Sequence, residues 1–243
     1  MQNFLRKVIQ PLGKSVEKIG GWVEKRRNKK PNNSPSQETV KLPSEYTLHA
    51  LMQYLEDREI RSLIPNLSGK KTLCASWGEN TLCNLLREKK AAPLLMMAPQ
   101  AEELGEISET TSGQFGLVGN LKAAPFKNDF FDCSIISAWN GKNDLSTWVG
   151  ELTRISRDGS RMVLVFTHPY LEYLSKPIRK IPQGVSQNFM TLRRAGIYVE
   201  EIKEAFVDES AKETLSNIPS SSIESLKGLP LLVLFKAIRL KRK

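Results

Sequence analysis

The sequence predicts an α/β protein: a doubly wound, mainly parallel sheet of about seven strands with helices on both faces, preceded by an amphipathic N-terminal helix. Three observations lead there. Short apolar runs of strand length alternate with helix-spaced stretches from about residue 42 onward. A chain of 243 residues with 40% hydrophobic side chains can bury one substantial core. No apolar run approaches the ~20 residues of a membrane-spanning helix, the longest being Leu229 to Ala237.

The first element is set by Phe4, Leu5, Val8, Ile9, Leu12, Val16, Ile19, Trp22 and Val23, which recur at three- and four-residue spacings with lysines and arginines between them. That is the pattern of a basic amphipathic helix over residues 1–26, weakened by Pro11 and Gly13. Such a face suits an anionic membrane surface or a groove on a protein partner; the plain alternative is a helix docked on its own domain. Charge interrupts the stretch too often for a signal peptide, and Glu17 and Glu24 disfavour a mitochondrial presequence.

Residues 27–41 are polar, rich in Pro and Asn and without periodicity, and read as a linker; the folded domain is expected over 42–243. Leu48, Leu51, Met52, Leu55, Ile60 and Leu63 predict a helix ending before Pro65. Strands are expected at Thr72 to Ala75, Leu94 to Met97, Leu117 to Val118, Cys133 to Ser137 and Met162 to Phe166. Leu82, Leu85 and Leu86 mark one intervening helix, and Leu145, Trp148, Val149, Leu152 and Ile155 mark another that closes at Asp158-Gly159. A helix through Phe189, Leu192 and Arg193 stops at Gly196, and strands follow at Ile197 to Val199 and Pro230 to Phe235. The connections over 171–187 and 208–227 are long, and the first could cap a site.

The formal net charge of +10 sits at the two ends. Residues 1–30 carry nine basic side chains against two acids and residues 236–243 carry five against none, which leaves 22 basic and 24 acidic residues for 31–235. A folded nucleic-acid-binding domain carries its basic stripe on the body, so nucleic-acid binding through the basic tails is the weakest reading. Cys74, Cys83 and Cys133 are too widely spaced for a CxxC pair and too few for a disulfide scaffold, and with only His49 and His168 no metal site is expected. A reducing, cytoplasmic setting fits, with peripheral contact to a membrane through the N-terminus.

Strand to turn to helix is the place where open α/β sheets bind ligands, beside the first strand. KKTLCASWGENTLCNLL, residues 70–86, resembles the first motif of class I S-adenosylmethionine-dependent methyltransferases, in which a strand ends in an acid and enters a GxGxG turn. GNLKAAPFKNDFFDCSII, residues 119–136, is similar to that family's run into the fourth strand, and LTRISRDGSRMVLV, residues 152–165, to its turn into the fifth.

The resemblance implies a cofactor pocket at Cys74, Ser76, Gly78, Asn80, Ala98 and Asn120, and most of these depart from the motif. Cys74 stands for an acid, Ser76 and Asn80 for glycines, and Ala98 for the acid that holds the ribose hydroxyls, whereas Gly78 is retained. Glycine is wanted there for close backbone approach and positive φ. A hydrogen bond to a charged group contributes roughly 1.5–3 kcal/mol, and about 1.4 kcal/mol is tenfold in affinity. Asn120, in place of the acid that meets the adenine amine, keeps an acceptor oxygen. Trp77 could stack on a ligand or pack on the next helix. His168, after the fifth strand, is the candidate general base, with a structural role as its alternative. Cys74 and Cys83 are expected in the apolar interior.

These residues predict a methyltransferase-like protein with a degraded S-adenosylmethionine pocket, acting as a non-catalytic module near a membrane or partner and needing no cofactor. The alternative is an active S-adenosylmethionine-dependent methyltransferase on a small-molecule or lipid-linked substrate.

Overall fold

The computed structural model describes residues 43–76, 82–104, 113–139, 144–171 and 184–241. The N-terminal stripe from Phe4 to Val23 and the linker after it lie outside these residues.

Helix α1, Glu45–Leu63, starts where the Ser44 side chain accepts the Thr47 N–H at 3.2 Å and ends at the extended Ile64, ahead of Pro65. Leu51, Leu55 and Ile60 on its inner face are wholly buried. The chain continues through β1 (Thr72–Ser76), α2 (Leu82–Glu88), β2 (Leu94–Ala98), β3 (Gln114–Val118) and β4 (Phe131–Ser137). It goes on through α3 (Val149–Ile155), β5 (Ser156–Thr167), α4 (Val185–Arg194), β6 (Ile197–Phe206), α5 (Ser210–Thr214), α6 (Ser220–Leu226) and β7 (Pro230–Arg239).

The strands form one seven-stranded sheet in the order β3-β2-β1-β4-β5-β7-β6, with β7 alone antiparallel to its neighbours. Alternation along the strands divides the core in two. One cluster joins α1, α2, α5 and α6 to Cys74, Met96, Ile135, Val165 and Leu234. The other, under α3 and α4, is built on Leu73, Met97, Ile136, Trp148, Leu164 and Phe235. Helices therefore cover both faces, as a doubly wound sheet requires.

The last three strands run longer than their apolar cores suggest. In β5 the register with β4 passes from Phe131↔Ser156 to Cys133↔Arg161, so the polar residues between bulge out around Gly159 at φ +77°. The expected helix closure at Asp158-Gly159 is thus corrected: α3 ends at Ile155 and the glycine serves the bulge. Gly196, at φ +82°, closes α4 as expected.

Candidate ligand site at the carboxyl edge of the sheet

The five parallel strands β1 to β5 end along one edge at Ser76, Ala98, Val118, Ser137 and Thr167. Strand order reverses on either side of β1, which pairs with both β2 and β4. That crevice is where a doubly wound sheet binds its ligand.

On the β1–β2 side, Cys74 is buried in register with Met96 and Ile135, and Ser76 is buried opposite Ser137. Gly78 and Asn80, with Trp77 between Ser76 and Gly78, lie outside the described residues. Ala98 is 1% exposed, and its carbonyl accepts the Gly119 N–H at 2.9 Å. Asn120 is exposed and its Oδ1 accepts the Lys122 N–H at 2.9 Å, closing an Asx turn. The acceptor oxygen counted on from sequence is therefore engaged locally. Among the described positions of this side, Cys74, Ser76, Ala98 and Asn120 supply no carboxylate.

The β4 side holds a polar cluster that sequence reading missed. His49, Gln53 and Glu56 stand at i, i+4 and i+7 on α1 and so share one stripe of the helix. Glu56 is 3% exposed, and its Oε2 accepts the Trp139 indole N–H at 2.8 Å. The His49 ring meets Trp139 edge-on, with centroids 5.0 Å apart. Trp139 follows β4 and is anchored through its carbonyl, which accepts the Thr167 hydroxyl at 2.8 Å. Burial raises the Glu56 carboxyl from 4.5 to about 7; the Ser137 hydroxyl and the Trp139 indole oppose that rise, and Asp57 adds to it.

Among the described residues, Glu56 Oε1 and Gln53 Nε2 are buried without hydrogen-bond partners of ordinary geometry, the Ser137 hydroxyl near the carboxyl included. Leaving such a group unmade costs roughly 1–3 kcal/mol. A signal for Glu56 existed in the sequence. Met52, Glu56, Ile60 and Leu63 follow one another at helical spacing, so the apolar phase of α1 carries the glutamate inward with them.

His168 is buried beyond β5 and both ring nitrogens are engaged. Nδ1 accepts the Tyr170 N–H at 3.2 Å, which leaves the proton on Nε2, 3.3 Å from Glu204 Oε1 of β6. The backbone N–H of His168 also donates to the Leu231 carbonyl at 2.8 Å. This arrangement ties three strand ends together, and it does not bring His168 to Glu56 or Trp139 through any of these bonds. Cys74 and Cys133 are buried thiols outside any disulfide, and burial pushes the Cys133 thiol up to about 12. Among the described residues, no cluster of three or more His, Cys, Asp or Glu is placed to hold a metal, and no helix is long and apolar enough to cross a membrane.

No protein-family model and no curated protein sequence matches the chain. Solved structures do. An S-adenosylmethionine-dependent methyltransferase from Mesorhizobium loti superposes with a TM-score of 0.60 at 17% identity, over 76% of this chain and 98% of that one. The fold is that of class I S-adenosylmethionine-dependent methyltransferases. The geranyl diphosphate C-methyltransferase of Streptomyces coelicolor, solved with Mg2+, geranyl diphosphate and S-adenosylhomocysteine, superposes with a TM-score of 0.59 at 15% identity, over 84% of this chain and 86% of that one. The methyltransferase fold assigned by resemblance is therefore present in three dimensions, and the sites carried on it are this chain's own.

Proposed function

We propose that this chain is a methyltransferase-fold protein that has lost ordinary S-adenosylmethionine binding and works as a non-catalytic binding or scaffolding module. Residues 1–30 hold it on an anionic membrane surface or on a protein partner. Ala98 carries the reading. It ends β2 where the fold would want a carboxylate for a ribose, and its side chain is a buried methyl whose backbone carbonyl already serves Gly119. The engaged Asn120 oxygen, just past the end of β3, supports the same reading.

The test is a melting experiment on the full chain with millimolar S-adenosylhomocysteine. A ligand at about 100 times its dissociation constant adds ~2.7 kcal/mol, roughly 5–10 °C for a domain of this size. We expect no shift; a rise of that order would overturn the reading.

One observation favours a second reading. A buried carboxyl near neutrality beside the β4 edge is the kind of group that holds or releases a proton for a bound substrate. It would suit a working methyltransferase on a small-molecule or lipid-linked substrate, as the prenyl diphosphate bound by the Streptomyces enzyme illustrates. The same melting experiment separates the two, because that enzyme must bind its cofactor.

A further inference from the structure

Glu56 differs from the half-buried carboxylates Glu59, Glu151 and Asp132 in lacking a cation. Glu59, one turn further along α1, pairs with Arg58 and Lys203, and Asp208 pairs with Arg58. Glu151 pairs with Arg154, and Asp132 with Arg157. Among the described residues no Lys, Arg or His nitrogen lies within 4.0 Å of Glu56, and the neighbouring charge on its own helix is Asp57, of the same sign. A carboxyl taken out of water with an indole N–H on one oxygen, the Ser137 hydroxyl nearby and no cation is under-compensated, and such burial favours either neutralisation or an incoming positive charge.

The surroundings of the vacant oxygen narrow the choice. Gln53 Nε2, one turn earlier on the same stripe, is a buried donor with no acceptor among the described residues. Glu56 Oε1 is a buried acceptor that closes no hydrogen bond of ordinary geometry among the described residues. Trp139, its N–H spent on Oε2 and its ring edge-on to His49, supplies an aromatic wall, and His49, Gln53 and Trp139 around the carboxyl are each half-buried. The wall is fixed, since Thr167 holds the Trp139 carbonyl at 2.8 Å and the Ala138 N–H donates to Val165 at 2.8 Å.

We propose that Glu56, Gln53, His49 and Trp139 form a binding site for a small protonated amine that carries a neighbouring oxygen acceptor. The ammonium donates to Glu56 Oε1 and meets the aromatic wall, and the oxygen accepts from Gln53 Nε2. A neutral amide would satisfy both hydrogen bonds without compensating the carboxylate. An anion would meet a like charge. The site belongs to the β4 side of the crevice and uses none of the cofactor positions, so it stands whether or not S-adenosylhomocysteine binds.

The probe is ethanolamine, titrated into the full chain at near-neutral pH by calorimetry and by the indole resonance of Trp139, assigned by comparison with Trp139→Phe. Ethylamine, acetamide and acetate serve as comparison ligands. Ethanolamine is expected to bind in the millimolar range suited to so few atoms, more tightly than ethylamine and at least tenfold more tightly than acetamide, with no binding of acetate. Glu56→Gln, an uncharged near-isostere that keeps an acceptor for the indole, should lose ethanolamine at least tenfold. Gln53→Leu should erase the advantage of ethanolamine over ethylamine while leaving amine binding in place. Equal binding of acetamide and ethanolamine, unchanged amine binding in folded Glu56→Gln, or absence of any amine binding at tens of millimolar would each overturn the proposal. Should Glu56→Gln not fold, the ethanolamine to acetamide ratio and the Gln53→Leu comparison in the folded protein decide it. A parallel titration with S-adenosylhomocysteine reports on the proposed function separately.

Discussion

Glu56 links the chemistry of the edge to the stability of the fold. Its carboxyl is raised from 4.5 to about 7 in the folded protein, so the folded state holds the proton more tightly than the unfolded chain. The stabilisation this gives is complete below about pH 4.5 and is lost as pH rises through about 7. From that shift the loss is about 3 kcal/mol. Denaturant unfolding at pH 5 and pH 8 should therefore show a fall in the parent that Glu56→Gln lacks; equal slopes in both proteins would contradict the buried carboxyl. Asp57, His49, Ser137 and Trp139, which face Glu56 from α1 and β4, are common to both proteins, and the difference isolates one group. Ala98, Ser76 and Asn80 make the complementary test on the cofactor side. Ala98→Asp with Ser76→Gly and Asn80→Gly restores an acceptor and backbone approach, and calorimetry should record a gain of at least tenfold in S-adenosylhomocysteine affinity. No gain in the folded triple variant would mean that something else fills the space, Trp77 first. Residue by residue, the departures at Cys74, Ser76 and Ala98 were readable because a motif gave them an expected identity. Glu56 was not, because a charged letter inside LEDREIRSL reads as solvent-facing unless the phase of Met52, Ile60 and Leu63 is carried through it.

The elements were read best where both faces of a strand are apolar. β1, β2 and β4 are buried along almost their whole length and stand within two residues of the expected runs. β5, β6 and β7 were read short for a physical reason. The first residues of β5 are polar and bulged, and β6, as an edge strand, carries Glu200, Glu201, Lys203 and Glu204 on positions that a loop would also hold. The connection from 208 to 227, without apolar periodicity, folds into two helices, α5 and α6, too short for a sequence period to announce. The N-terminal stripe expected from sequence has its own test. Full-length protein should co-sediment with anionic vesicles, less so as salt rises, and removal of residues 1–30 should abolish this without unfolding the body. Equal sedimentation of the truncated chain would remove the membrane reading. Failure of both forms, with destabilisation on truncation, would favour a helix docked on its own domain.

The sheet order and the two core clusters describe a methyltransferase scaffold, its doubly wound sheet read in advance from alternating apolar runs and its family likeness from the motifs at residues 70–86, 119–136 and 152–165. What differs is the furnishing of its crevice. The β1–β2 side carries Cys74 and Ala98 where the resemblance implies acids, whereas the β4 side has a buried carboxyl and, among the described residues, two polar atoms without a hydrogen bond. Since scaffold and site vary independently, neighbours below one-fifth identity establish the first and leave the second to this chain's own residues. The central claim is that the cofactor side no longer binds its nucleoside. Calorimetric titration of S-adenosylhomocysteine into the full-length protein tests it most directly: no saturable heat up to millimolar ligand is the expected result, and a saturating isotherm with a micromolar dissociation constant would contradict it.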